Sequence, residues 1–219
     1  MLKNFNMDFT KDVVIRTREQ ELLPSPAAGI FRIPLEREEL ESGRTTSIVK
    51  YEAGTSFKAH PHPKGEEIFV LEGVFSDEFG DYPAGTYLRN PPGYVHAPFS
   101  KDGCVIFVKL NQFKSGDRER VVKDTGSAEW VQGYGNLQVM PLASFEAEGT
   151  ALVKWPKGEK FVAHSHFGGE EILVLSGTFK DEHGEYPAGT WIRSKHLSSH
   201  LPWVDEETVI LVKTGHLAT

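Results

Sequence analysis

Two short stretches carry side chains whose types and spacing suit metal ligation. "HPHPKGEE" (residues 60–67) sets two histidines one residue apart, with a glutamate four residues after the second. Successive side chains of a strand point to opposite faces, so His60 and His62 share a face if this stretch is extended. Glu66 follows the "PKG" turn and opens the next apolar run, which lets it come back beside them. Further on, "PPGYVH" delivers His96 after a second tight turn. Three imidazoles and one carboxylate form a donor set for a divalent cation. "HSHFGGEE" (164–171) and a later histidine repeat the set as His164, His166, Glu170 and His200, each 104 positions on. An isolated His-x-His pair is commonly a solvated surface pair, so the repetition decides. Six of the nine histidines fall in the two sets, whereas His183, His196 and His216 have no counterpart in the first copy.

Within each "EE" pair the first glutamate is preferred, because Glu66 shares parity with Ile68 and lies nearer the turn; Glu67 and Glu171 are the alternatives. Cys104 is the single cysteine, which excludes an internal disulfide and a thiolate cluster. Zinc is the first expectation for the metal, with iron, manganese and nickel as alternatives. Four protein ligands can close a tetrahedral zinc site. The same four on Fe(II) leave two octahedral positions free, so the sequence leaves open whether the chain is an enzyme. Ligation needs neutral imidazoles, so metal affinity should fall as pH drops below ~6.5.

These residues need a scaffold, and the chain supplies it twice. Val49–Leu110 aligns with Val153–Thr214 without a gap, 30 of 62 positions being identical. An internal duplication of this kind sets two domains, read as 1–113 and 114–219, with the polar stretch 114–128 joining them. Each copy reads as all-β. Short apolar runs such as "EEIFVLEG" and "CVIFVKL" are separated by glycine and proline turns, "DEFGDYPAG" and "NPPG" among them. "IFVL" and "ILVL" are apolar at both parities, the pattern of strands buried on two faces in a sandwich or closed barrel. The one stretch with any helical character is a short turn at "PLEREEL". Cys104 reads as a buried strand residue. Phe57, Tyr87, Arg89 and Tyr94 are candidates to line a pocket beside the first set, with core packing or surface charge as their ordinary roles; Arg89 recurs as Arg193.

Composition narrows the partners. The 219 residues carry 24 basic and 31 acidic side chains, a formal net charge of −7, and no basic stripe, so nucleic acid is not an expected partner. No apolar run approaches the ~20 residues that span a bilayer, and the start lacks the apolar core of a signal peptide, so no membrane partner and a cytoplasmic location are expected.

The spacing G-x5-H-x-H-x3-E-x6-G from Gly54 to Gly73, followed by G-x5-P-x-G-x2-H from Gly85 to His96, resembles the two motifs of the cupin superfamily. The second copy matches the first motif from Gly158 to Gly177, but Lys195, His196 and Leu197 stand where the turn "PPG" is found, so its loop is expected to take another shape. The resemblance implies two tandem jelly-roll (double-stranded β-helix) barrels, holding metal at His60, His62, Glu66 and His96 and at His164, His166, Glu170 and His200. More narrowly, the sequence is similar to the cupin domain of ChrR, an anti-sigma factor. That likeness implies a metal-dependent sensor of oxidants or small ligands in stress-responsive transcription, with a small molecule and a sigma factor as partners. ChrR grips its sigma factor through a separate zinc domain with an HxxxCxxC pattern; none occurs here and residues 1–31 are too few to hold that domain, so binding in that manner is not expected. The alternative is an Fe(II)-dependent dioxygenase of the acetylacetone- or dihydroxyacetophenone-cleaving type. Cupins often pair through strand exchange or sheet packing, which leaves open a homodimer or a pairing satisfied by the two copies within one chain.

Overall fold

Glycine turns and short apolar runs fold into strands, as their period demands. In the computed structural model, which describes residues 3–39 and 42–217, the sole helical element among those residues is a 3-10 turn at Thr17–Glu19. The "PLEREEL" segment is not a turn of helix. Its first four residues finish the strand Ile30–Arg37, which pairs with Thr45–Tyr51. A bulge between Pro34 and Glu36 accommodates the proline, which has no N–H for the ladder. Leu40, the last residue of that segment, lies outside the described residues.

Two compact units form. One comprises the chain up to Met7 and Glu21–Ala128; the other comprises Asp8–Gln20 and Glu129 onward. In the first, the main sheet runs in the order Val121–Asp124, Thr86–Asn90, Glu66–Asp77, Cys104–Leu110, Thr45–Tyr51, Ile30–Arg37, Leu23–Pro24. A separate antiparallel ribbon pairs His60–His62 with Tyr94–His96. The second unit repeats this order with Val13–Arg16, Thr190–Ser194, Glu170–Ser176, Thr208–Thr214, Glu148–Trp155, Gln138–Phe145 and Val131–Gln132. Its ribbon pairs His164–Ser165 with Ser199–His200. The stretch 114–128 is thus more than a joining segment, since Val121–Asp124 pairs residue by residue with Thr86–Arg89.

Each barrel closes on one apolar filling. Ile68, Val70, Phe75, Leu88, Ile106 and Val108 are all nearly inaccessible in the first, and Trp155, Ile172, Val174, Phe179, Ile192 and Ile210 in the second. Each such side chain contributes ~1.5–3 kcal/mol by leaving water. The strands beginning at Glu66 and Glu170 are buried at both parities over their first five residues, as two-sided apolar runs require. Cys104 is a buried strand residue. No helix among the described residues is long and apolar enough to cross a membrane.

A bulge shapes both barrels at the same place. Cys104 pairs with Gly73 and Ile106 with Val70, so the register slips and Leu71 falls between the rungs. In the second barrel the slip lies between Val174 and Ser176. The glycine after each bulge, Gly73 or Gly177, has positive φ (70° and 72°) and sits against backbone: a Cβ there would collide with the carbonyl of Gly103 or Glu207. Gly54 also has positive φ, but a Cβ there would meet nothing within 4 Å. Gly54→Ala should therefore cost only the left-handed strain of ~1–2 kcal/mol. Gly73→Ala should add a backbone collision and cost ~3 kcal/mol or more. Denaturant unfolding of the two variants checks this; equal losses would contradict the close-approach argument.

Candidate metal centres

The ribbon register fixes the first centre. His60 stands directly opposite His96, and His62 opposite Tyr94, so all four side chains share one face, while Pro61 and Val95 turn outward to solvent. The chain then reverses at Gly65, which has φ 78° and donates its N–H to the His62 carbonyl. Glu66 opens the next strand from that turn and comes beside the imidazoles. Its carboxylate oxygens lie 3.6 Å from His62 Nε2 and 3.4 Å from His96 Nε2, and those two nitrogens are 2.9 Å apart. Donor atoms of His60, His62 and His96 all fall within 4.8 Å of one another. Glu67 points the other way and accepts a hydrogen bond from the Tyr87 hydroxyl.

The second centre has the same plan. His164 faces His200, and His166 Nε2 lies 3.1 Å from His200 Nε2. Glu170 Oε2 is 3.5 Å from His166 and 3.7 Å from His200. The expected change of loop does not occur. Leu197 adopts φ 59°, in the left-handed region that Gly93 also occupies (89°). It makes the corresponding bond to the His166 carbonyl, as Gly93 does to His62, and Ser198 N–H still closes the turn onto Lys195. His196 joins in by accepting from the Gly168 N–H at 2.9 Å. The sequence lost the usual turn residues, but the hydrogen bonds hold a leucine in a conformation that costs on the order of 1–3 kcal/mol.

Tautomers follow from the partners of each outer nitrogen. His96 Nδ1 lies 3.1 Å from the Asp77 carboxylate, which can only accept, so Nδ1 carries the proton and Nε2 presents a lone pair. His60 Nδ1 donates to the Lys58 carbonyl at 2.9 Å, with the same result, and His164 repeats this with Val162. Asp77 also accepts from the Tyr82 hydroxyl and the Phe79 N–H, so it is held in place itself. Asp181 does the same behind His200, with Tyr186 and the His183 N–H. These two aspartates orient the inner histidines and escaped the motif reading. The signal was present, since "SDEFGDY" and "KDEHGEY" keep an aspartate five residues before a tyrosine in both copies.

The electrostatics of the two centres call for a cation. Burial pushes Glu66 upward, against the pull of His96 and Asn90. Burial likewise raises Glu170 to about 7. Burial lowers His62 to about 4, helped by His60, and His166 to about 4, helped by His164 and His200. For His200, burial alone would depress the imidazole, but the bond to Asp181 and the nearby Glu170 outweigh it and raise it. Lone pairs and a carboxylate converge in a largely buried centre, and Glu170 Oε2 is a buried oxygen without a hydrogen-bond partner. A divalent metal fits this donor set in both barrels.

Beside the first centre lies a cavity of ≈ 150 Å³ whose wall includes Tyr51, Phe57, His60, His62 and Glu66. Of the pocket candidates, Phe57 lines it. Tyr94 packs edge-on against His96 at 5.5 Å. Tyr87 and Arg89 do not reach it: along Thr86–Asn90 the alternation sends Leu88 and Asn90 inward, Asn90 donating to Glu66 at 3.0 Å. Arg89 instead forms a forked ion pair with Asp117 and stacks over Phe113.

The family model described as the ChrR Cupin-like domain matches the chain twice, over residues 10–114 and 118–218. No curated protein matches it in sequence. Solved structures that share its fold include the following three. A protein of Nostoc punctiforme named as a candidate dioxygenase is 14% identical, with a TM-score of 0.78 over 95% of this chain and 84% of that one. A Pseudomonas aeruginosa protein named as a candidate glyoxylate-induced protein is 13% identical, with a TM-score of 0.75 over 93% and 88%. The Escherichia coli pirin YhhW, solved in complex with nickel(II), is 13% identical, with a TM-score of 0.66 over 95% and 100%. At these identities the likeness speaks for the fold alone.

The geometry predicts that the protein purified without chelators carries close to one divalent metal per intact centre. His60→Ala with His62→Ala should remove the first and leave the second, as read by elemental analysis; metal-free wild type would count against both centres. Asp77→Asn keeps an oxygen for Tyr82 and Phe79 but no longer holds the His96 tautomer. It should weaken metal binding at the first centre roughly 10–100-fold, measured by competition with a chelator, with the fold retained.

Proposed function

Because the chain belongs to the ChrR Cupin-like domain family, we propose that it is a metal-dependent cupin that takes a small organic molecule at the first barrel's centre. On this reading it serves as a ligand- or oxidant-responsive module in cytoplasmic transcription control. The single observation behind the proposal is the cavity against His60, His62 and Glu66, which gives a small molecule access to that donor set. A closed, purely structural site would have no use for it. When bound, the cation would act as a Lewis acid for a ligand's oxygen atoms.

The chain's own residues prepare the centre. Asn90 holds the Glu66 carboxylate in place through its side-chain N–H. Lys58 and Asp77 keep the protons of His60 and His96 on Nδ1, away from the centre. Phe57 and Tyr51, packed edge to face at 5.7 Å, exclude water from one wall. Burial, with Glu66 nearby, keeps the Tyr51 phenol protonated far beyond neutral pH, so it faces the cavity as a hydrogen-bond donor.

The same open side supports a second reading, an Fe(II)-dependent dioxygenase acting on a small organic substrate. The two differ in one observable. The metal-loaded chain should rise in melting temperature with members of a panel of β-diketones, hydroxyacetophenones and small carboxylates, and the His60→Ala, His62→Ala variant should not. A rise with no oxygen uptake by the iron-loaded chain supports the sensor, and uptake supports the dioxygenase. No rise across the panel would sink the ligand-binding proposal.

A further inference from the structure

The two barrels share their histidines, but one strand beside them differs in what it turns inward. Along Thr45–Tyr51 the alternation sends Thr45, Ser47, Val49 and Tyr51 to the cavity that touches His60, His62 and Glu66. At the matching register of the second barrel stand Gly149, Ala151, Val153 and Trp155. The hydroxyls of Ser47 and Tyr51 thus give way there to a methyl group and an indole. Ser47 is 1% exposed, and its Oγ has no hydrogen-bond partner in the protein. Thr46, one step along and on the opposite face, is bonded to Glu36, Lys109 and Gln112. Tyr51 is 6% exposed, and its ring packs edge to face with Phe57 at 5.7 Å and Phe75 at 5.8 Å. Its hydroxyl takes part in no hydrogen bond among the described residues. Burial and the Glu66 charge hold that phenol well above its ordinary value, so it keeps its proton and can donate. Trp155 packs edge-on against Phe161 and Phe179 instead, and its indole N–H, also without a partner, can only donate.

Around the two hydroxyls the cavity wall is hydrocarbon, from Val49, Ile106, Val108 and Leu110. Arg32 and Arg37, also on that wall, have partners of their own. A buried hydroxyl without a protein partner gives up its hydration for nothing the fold needs, and a ligand that bonds to it explains its place. Resting on the reading of the first barrel as a ligand-taking metal centre, we infer that Ser47 and Tyr51 determine its specificity and that the ligand is a small uncharged hydroxycarbonyl compound. An oxygen that faces the His60, His62 and Glu66 set accepts from Tyr51. Ser47 lies ~13 Å of strand away from Tyr51, so the ligand carries a hydroxyl at its far end to meet it, with its carbon atoms against the valines between. A cavity of ≈ 150 Å³ holds a molecule of about six heavy atoms, which is the size such a compound has. The second barrel keeps the metal donors without this pair of hydroxyls.

The test is calorimetric titration of the full-length zinc-loaded chain with glycolohydroxamic acid and with acetohydroxamic acid, which lacks the far hydroxyl. Glycolohydroxamic acid should bind at one site per chain, and not to the His60→Ala, His62→Ala variant. Tyr51→Phe should weaken both probes roughly three- to tenfold. Ser47→Ala should weaken glycolohydroxamic acid by a similar factor and leave acetohydroxamic acid unchanged. Trp155→Phe, in the second barrel, should leave both affinities as they were. Because neither hydroxyl has a protein partner, Tyr51→Phe and Ser47→Ala should melt no lower than wild type when no ligand is present, an outcome that a structural role for the hydroxyls would not give. Unchanged affinities in both hydroxyl variants, or a clear loss of melting temperature without ligand, would overturn the inference and leave the ligand-taking centre standing. Failure of metal-replete wild type to bind either probe overturns it as well. Metal content is measured separately, and a wild-type chain that holds no metal sinks the metal-centre reading and the inference with it.

Discussion

Everything in each barrel depends on one electrostatic tension, a carboxylate and two imidazole nitrogens held within 3.7 Å of one another in a largely buried centre. Glu66 and Glu170 are each 6% exposed, and His96 is fully buried. An ionised carboxylate loses much of its hydration there, and two imidazole nitrogens 2.9 Å apart need a proton or a cation to bring them together. Asp77 and the Lys58 carbonyl fix the protons of His96 and His60 on their outer nitrogens, so the inner lone pairs of those two rings point at the centre. A divalent cation relieves it wholly, satisfying the carboxylate and the lone pairs at once. The turn glycines, the ribbon register and the aspartates behind the histidines are the structural means of imposing that convergence.

Duplication makes visible which parts geometry constrains. The ribbon, the reversal before the glutamate, the bulge after the central strand and the aspartate behind the last histidine recur in both barrels. The turn before that histidine recurs even where its sequence does not, with Leu197 forced into positive φ. Its hydrogen bonds place the histidine, so the backbone shape survives the loss of the residues that make it easy. The strand Ile30–Arg37 differs more: Arg32 and Arg37, which line the cavity, stand where Val139 and Ser144 stand in the second barrel.

Much of this was legible in the sequence, for a physical reason. Strand alternation is strictly local, so His-x-His and the turn to Glu66 already said that the three side chains share a space. The two-sided apolar runs said that the space is inside a barrel. Less legible was anything that depends on strand pairing. Asp77 reads as one more acid in a turn until the hairpin brings it behind His96. Tyr87 and Arg89 looked like pocket residues because they sit near the motif, yet a single step of parity sends them to the opposite face from Leu88 and Asn90. Arg32 and Arg37 lie outside the aligned block. They reach the cavity only because a bulge at Pro34–Glu36 restores inward parity to Arg37 after Arg32. A bulge of that kind leaves no clear trace in composition.

The pairing of the outermost strands carries the same lesson further. The two family matches each begin with a short apolar run, "DVVIRT" or "RVVKDT". In the chain these runs look like the start of each copy. In space Val13–Arg16 completes the sheet that contains Thr190–Ser194, and Val121–Asp124 the one that contains Thr86–Asn90. Thr17 and Thr125 then tie the two runs down in the same way, each bonding through backbone N–H and hydroxyl to the carbonyl of Gly189 or Gly85. An open strand edge invites pairing with any passing chain, and each sheet here is closed by a strand that sequence alone assigns to the other copy. The repeat unit of the sequence and the folded unit are therefore not the same object. The strands covered in this way, Thr86–Asn90 and Thr190–Ser194, are also those that pair with Glu66 and Glu170. The edge strands thus support, one layer removed, the carboxylates on which both centres depend.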